Sequence, residues 1–218
     1  MAYKHGVYTS EVETSLTAPI VGTAGLQVIV GTAPVNMLKD PAAAVNVPLL
    51  VNNYKEAVEA VGYNDDFEAY TLCECISAAF SVVGVAPMVL ITVLDPAKHK
   101  ADISEKTMQV NDGVAVLDEV GVLLEGLTIK ADATPLEAGK DYTTTWNNDG
   151  TLNIVLLKGG AGEKATTLTA TGSKIDPSKV KAADIVGGVD ISSGKETGLE
   201  VVRQVYPKLS MTPGILLA

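Results

Sequence analysis

Few groups in this sequence are spaced for chemistry. Cys73 and Cys75 stand two apart, His5 and His99 are the only imidazoles, and Asp65-Asp66 and Asp118-Glu119 are adjacent carboxylates. A thiol pair can hold a metal or close a disulfide. On a helix, however, residues two apart point about 200° apart around the axis. The cysteines are expected on a helix, so they can neither share a metal nor bond to each other. They read as structural cysteines at the edge of a core. The histidines are too far apart in sequence to suggest a common site. Paired carboxylates could do acid–base work. Both pairs have local explanations, Asp65 as a helix cap and Asp118-Glu119 as a solvated turn.

Glycine-rich loops could instead cradle phosphate. A phosphate-binding loop needs two glycines bracketing four residues, then Lys and Ser or Thr. The pairs Gly139-Lys140 and Gly194-Lys195 have Thr134 and Val189 where the first glycine belongs. GGAGEKAT at 159–166 has the wrong spacing and reads as a turn. GTAGLQVIVG at 22–31 lacks the third glycine of the dinucleotide pattern and precedes a strand instead of following one. No serine sits in a nucleophile-elbow pattern. No catalytic, metal or cofactor-binding residue is expected, no cofactor is implied, and the chain does not read as an enzyme.

Composition narrows the classes. The 218 residues suffice for one large domain or two modest ones, and 47% are apolar, so a sizeable core can be buried. The formal charge of −10 argues against sequence-independent nucleic-acid binding, which needs a basic footprint. No apolar run reaches the length of about 18 residues that a membrane span needs, and no secretory signal region opens the chain. Neither nucleic acid nor membrane is an expected partner. Two cysteines suit a reducing compartment without a disulfide framework. Trp146 is the sole tryptophan, so stacking platforms for bases or sugars are poorly supplied.

The elements follow from punctuation. Leu26–Val30 is β-rich between Gly25 and Gly31 and suits a strand buried on both faces. Leu49–Val51 is a second short apolar run. In NNYKEAVEAVGY, Asn53 is an N-cap, Glu56 follows three residues on, and Gly62 ends the helix. The next helix is expected to start at Asp65 with Glu68. It carries Leu72, Ile76, Ala79, Phe80 and Val83 on one face and stops at Gly84. MVLITVL after Pro87 is another apolar strand, which makes a parallel α/β layout. From about Ile103 to Ala170 the pattern becomes short alternating strands: 106–110, 114–117, 127–131, 142–146, 152–157 and 166–171, with Asn148-Asp149-Gly150 as a hairpin turn. Asp176-Pro177 then caps a short helix. Ser193 with Glu196 is expected to open another, bearing Leu199, Val202, Val205 and Tyr206 and ending at Pro207. TPGILLA begins a further core strand. The expected fold class is α/β (α+β mixed): a partial α/β core with an inserted small all-β domain and an extended N-terminal arm. The expected divisions are an arm over 1–18, the first part of the core over 19–100, the β-insertion over 101–175, and a return to the core over 176–218. Because the sequence stops inside an apolar run, it is expected to be the N-terminal piece of a longer protein.

Seven segments together carry a resemblance: MAYKHGVYTSEV, TAPIVGTAGLQVIVGTAPVN, KDPAAAVNVP, YKEAVEAVGYNDDFEAYTLCE, VLDPAKHK, IVGGVD and VYPKLSMTPGILLA. They resemble contractile-tail sheath proteins, in particular those of contractile-tailed phages and prophages of Gram-positive bacteria. The resemblance covers the α/β parts on both sides of the insertion and is weakest within it. Relatives often carry proline where this chain has Glu13, which makes the arm less stiff.

The resemblance implies a structural subunit of a contractile tail sheath. Such subunits stack as hexameric rings around a tail tube and contract to drive the tube through a target envelope. The implied partners are other copies of the chain, the tail tube protein, and the baseplate and tail terminator proteins. The implied location is the virion tail, with assembly in the bacterial host cytoplasm. A non-phage contractile injection system or a tailocin is the alternative, and an α/β enzyme with an unrecognised site is the third reading. In the family, terminal arms reach into neighbouring subunits. Here Gly6–Val12, GVYTSEV, is rich in strand formers yet has no nearby partner. Tyr3, Gly6, Val7, Tyr8, Thr9, Ser10, Glu11 and Val12 are therefore the expected inter-subunit strand, because a lone strand gains stability only by adding to another sheet's edge.

Overall fold

The apolar runs become strands wrapped by short helices. The computed structural model describes residues 25–218. Its first elements are β1 (Gln27–Gly31), β2 (Leu49–Val51), α1 (Tyr54–Val61), α2 (Thr71–Ile76) and β3 (Met88–Thr92). Every residue of β3 is buried, as expected of a strand covered on both faces. Local chemistry sets α1. The Asn53 Oδ1 accepts the Glu56 N–H at 3.0 Å, and the Glu56 carboxylate accepts the Asn52 N–H at 2.9 Å. Gly62 closes the helix at φ 80°, and a Cβ there would collide with the Pro34 carbonyl oxygen. Both facts demand glycine.

The second helix departs from expectation. It starts at Thr71, not Asp65, because Thr32 supplies the missing partners from across the fold. The Thr32 Oγ1 accepts the Thr71 N–H at 3.1 Å, and the Thr32 carbonyl accepts the Leu72 N–H at 3.0 Å. Asp65 and Asp66 form a tight turn instead of a helix cap: the Asp66 Oδ1 accepts the Ala69 N–H at 3.2 Å. After Ile76 the helix widens into a π turn, Ser77–Val83, and the Gly84 N–H reaches back five residues to the Ala79 carbonyl. Widening rotates later residues off the buried face. Leu72, Ile76 and Ala79 are buried, whereas Val83 is 68% exposed.

Seven strands follow: β4 (Lys100–Asn111), β5 (Val114–Leu117), β6 (Thr128–Ala131), β7 (Thr134–Leu136), β8 (Tyr142–Trp146), β9 (Leu152–Leu156) and β10 (Thr167–Ile175). They form one antiparallel sheet in the order β7-β6-β10-β4-β5-β9-β8. β4 and β10 are longer than the sequence suggests. Their paired ends, Lys100 opposite Ile175, are too polar to read as strand, and pairing with each other settles them. The side chains of Met108, Ala115, Leu117, Ile129, Leu152, Ile154 and Leu168 pack together as this sheet's core.

The chain then returns to the first sheet. A 3-10 turn at Pro177–Lys179 is capped by Asp176, whose side chain accepts the Ser178 N–H at 3.1 Å. Next come α3 (Ala182–Val186), the hairpin of β11 (Gly188–Val189) and β12 (Glu196–Thr197), a 3-10 stretch (Gly198–Gln204), α4 (Val205–Leu209) and β13 (Ile215–Leu217). Ser193 opens no helix. Its hydroxyl donates to Asp190 at 2.8 Å inside the hairpin turn, while Glu196 pairs with Val189. Nor does Pro207 end the helix. It falls in the first turn of α4, where a missing N–H is tolerated. Val201 and Val205 are the buried hydrophobic residues of this segment, and Tyr206 is exposed.

The completed sheet has the order β13-β1-β3-β2. β1 is parallel to β13 and β3, but β2 is antiparallel to β3. The expected parallel layout holds for β1, β3 and β13 but not for β2: the two helices between β2 and β3 return the chain so that the two strands pair antiparallel. Ile29, Leu90, Ala57, Leu72 and Ile76 meet on one face; Val28, Val30, Val89, Val201 and Val205 meet on the other. The fold is a mixed α/β one, with three layers around this sheet.

The two sheets are tied together. Tyr70, Cys73 and Leu94 pack against Leu123 and Ile175 from beside the seven-stranded sheet. Burial pushes the Tyr70 hydroxyl up to about 12 and the Cys73 thiol up to about 11. The Asn64 Nδ2 donates to the Asp149 carbonyl at 3.1 Å, and the Asp176 N–H donates to the His99 carbonyl at 2.8 Å.

Candidate functional site

The expected arm strand, Tyr3 with Gly6 to Val12, lies outside the described residues. What the structure offers is the body that such an arm would link, and two places where an enzyme of this class would keep its site. Open α/β sheets bind ligands beyond the carboxyl ends of their strands. Past β3 lies a polar cleft of about 350 Å³ lined by Asn46, Asp95, Lys98, His99, Asp184 and Asp190. Past β1 lies another of about 510 Å³, lined by Thr32, Asp66, Thr71, Asp176 and Ser178 among others.

Several of their polar groups hold the fold. His99 is 5% exposed; its Nδ1 accepts the Asp95 N–H at 3.0 Å, and its Nε2 lies 3.5 Å from the Asp184 Oδ2. That Asp184 oxygen also accepts the Lys181 N–H at 2.9 Å, which with the nearby imidazole holds its carboxyl below the usual range. Asp190 is drawn down to about 2 by the hydroxyls of Ser192 and Ser193 and the Ser192 N–H. The Thr32 hydroxyl donates to the Ala69 carbonyl at 2.8 Å. The hydroxyl that lines the cleft with His99 is that of Thr197, and it donates to the Gly188 carbonyl at 3.3 Å. Among the described residues no group of three or more His, Cys, Asp or Glu could hold a metal ion. Cys73 and Cys75 are free thiols, the first buried and the second half-buried.

Glu119 corrects the sequence reading. It is not part of a solvated turn: its carboxylate is mostly buried and bridges Lys106 at 2.9 Å and Lys174 at 2.6 Å. The two ammonium groups hold it below the ordinary carboxylate range. This cluster staples β4, β10 and the segment after β5 rather than doing acid–base work.

The surface carries more signal than the clefts. Val82 and Val83 at the end of the π turn are 80% and 68% exposed. They belong to a run from Cys75 through Leu94 with no charged residue, in a chain of net charge −10. At the other end of the sheet, Val186, Val189 and Ile191 stand out around the β11–β12 hairpin, and Ile191 is 99% exposed. Among the described residues β13 is an outer strand of its sheet, with Ile215, Leu216 and Leu217 roughly half exposed. Large contiguous apolar exposure marks contact surfaces more often than solvated ones. The expectation of a single apolar helix face concealed Val83; the charge-free run was visible in the sequence and could have revealed it. No helix among the described residues is long and apolar enough to cross a membrane.

Comparison with known proteins gives a named relative. No protein-family model matches the chain, and no solved structure does. Over 219 aligned positions, covering 99% of the chain, it is 27% identical to the tail sheath protein of Burkholderia phage BcepMu. The aligned part is 43% of that relative, so the chain spans less than half its length. The Gram-positive attribution has no counterpart in this match. The similarity runs through both sheets and supports the resemblance of this chain to phage tail sheath proteins.

Proposed function

We propose that the chain is a structural subunit of a contractile tail sheath. It polymerises with its own copies around a tail tube and moves as a rigid body when the sheath shortens to drive the tube through a target envelope. The observation that carries this reading is the similarity, over nearly the whole chain, to a protein named as a tail sheath protein. The joint between the two sheets fits the role: a buried cluster and polar ties across it would let force pass without internal slack. In this reading residues 3–12 are a strand donated to a neighbouring copy's sheet edge. The tube, baseplate and tail terminator proteins are further partners, and the virion tail is the place of action.

Deletion of residues 3–12 tests the assembly role. The purified chain, which spans 43% of the tail sheath relative's length, is expected to associate without building long tubes by electron microscopy and sedimentation. The deletion variant is expected to keep its circular-dichroism spectrum and melting temperature but remain monomeric. Ordered oligomers of unchanged size after the deletion would remove the arm from the proposal. Long ordered tubes built by this chain alone would overturn the expectation that the remainder of the subunit is needed for the sheath lattice.

A further inference from the structure

Two aspartates of this chain are followed by glycine, Asp112-Gly113 and Asp149-Gly150, and both pairs lie in hairpin turns. An Asp-Gly step can rearrange without an enzyme. The glycine main-chain nitrogen attacks the aspartate Cγ. A C–N bond forms, a Cγ–O bond breaks, and the nitrogen's proton leaves with the carboxyl hydroxyl as water. A succinimide ring results, and water reopens it. Opening at Cγ restores aspartate. Opening at the main-chain carbonyl carbon leaves iso-aspartate, in which the chain runs on through the side-chain carboxyl. Glycine favours the attack because no Cβ shields its nitrogen.

The fold treats the two turns differently. In the β8–β9 turn every reacting group is held. The Asp149 Oδ1 accepts the Thr151 N–H at 2.9 Å and the Thr151 hydroxyl at 2.6 Å. These bonds hold the Asp149 carboxyl below its ordinary range, which depletes the protonated form that loses water. The Gly150 N–H donates to the Asn147 carbonyl at 3.0 Å, and the Asp149 carbonyl accepts the Asn64 Nδ2 at 3.1 Å. The β4–β5 turn is built otherwise. Asp112 at φ 50° and Gly113 at φ 78° are its two central residues, as a tight hairpin turn demands. Among the described residues the Asp112 carboxylate has no hydrogen-bond partner, and the Gly113 N–H has none comparable to that of Gly150. The Gly113 carbonyl accepts the Leu156 N–H at 2.8 Å, a bond that ties down neither the attacking nitrogen nor the carboxyl it attacks.

We propose that Asp112 is a site of spontaneous iso-aspartate formation, and that the hydrogen bonds around Asp149 protect the second Asp-Gly step from the same change. The product would matter to the sheet. An iso-aspartyl link adds a main-chain carbon to a two-residue turn, so Asn111 and Val114 could no longer face each other in register. The modification would therefore loosen the β4–β5 hairpin from its tip.

The purified chain, incubated for weeks at physiological temperature and mildly acidic pH, tests this. Peptide mapping with fragmentation that separates iso-aspartate from aspartate reads both sites in one sample. Iso-aspartate is expected to accumulate at position 112 at least about tenfold faster than at 149, a ratio equivalent to about 1.4 kcal/mol. Equal rates, or a faster rate at 149, would overturn the proposal. In denaturant the two rates should converge, because the bonds of the folded turn are gone. A gap that persisted there would trace the difference to flanking sequence and would overturn the protective role of the fold. Asp112→Asn keeps a turn-forming pair and makes ammonia, a more readily lost group, the leaving group. It should convert faster than the wild type, with a mass gain at position 112 as the asparagine becomes aspartate or iso-aspartate. No mass gain there would show that the turn does not permit the attack.

Discussion

The two sheets of this protein bury their strands in opposite ways. β3, in the four-stranded sheet, is buried at all five positions because helices cover both faces. β4, in the seven-stranded sheet, buries only Ile103 and Met108 of its 12 residues. The first sheet is held by apolar packing on two sides. The second has one packed face and relies on polar ties at its loops and margins.

The largest effect that tests this contrast is expected in the first sheet. Leu90→Ala removes a fully buried side chain between two layers and should destabilise the protein by about 2–5 kcal/mol in chemical denaturation. A loss below about 1 kcal/mol would mean that the two-sided packing is not what holds this sheet. Next comes the tie between the sheets. Asn64→Ala removes the bond to the Asp149 carbonyl together with the one its Oδ1 accepts from the Asp66 N–H, and should cost about 1–3 kcal/mol. Hydrogen exchange at residues 147–151 should accelerate more than exchange in β3. Equal acceleration in both would show that the sheets open as one unit and would blur the comparison.

The smallest effect concerns a polar tie inside the seven-stranded sheet. Asp141 accepts the Glu137 N–H at 2.9 Å and the Ala161 N–H at 2.9 Å, and these bonds hold its carboxyl below its ordinary value of 3.8. A depressed folded value means that the stabilisation is complete above the unfolded value and disappears as pH falls through the folded one. The wild type should therefore lose melting temperature below about pH 4. Asp141→Asn should be less stable than wild type at pH 7 and lose less on acidification. Parallel melting curves for the two proteins from pH 7 to pH 2 would remove Asp141 from the account.

Elements set by neighbouring residues were legible in the sequence, and those set by distant ones were not. The cap of α1 uses Asn53, Glu56 and Gly62, all within one short segment, and it forms as read. β2 and the β8–β9 hairpin turn are also where pattern and turn chemistry put them. The start of α2 depends on Thr32, 39 residues away, and no local pattern signals it. The ends of β4 and β10 are polar and become strand only through each other. Glu119 looks like a surface carboxylate until Lys106 and Lys174 converge on it. The clefts past β1 and β3 were foreseeable from fold class alone, and their lining residues were not. The β11–β12 hairpin that exposes Ile191 was not foreseen, because a helix was expected from Ser193 that the chain does not form.

The pairing of Lys100 with Ile175 has a consequence for how this molecule can change. The whole span between them leaves and re-enters the rest of the fold at adjacent points, so the remainder sees it as little more than a tight turn. Closure entropy rises only slowly with loop length, so a longer or shorter span there alters the remainder little. The position is therefore a natural graft point. A short turn, a different β-module or a displayed cargo could replace the span, provided that the apolar faces of Tyr70, Cys73 and Leu94 were covered again.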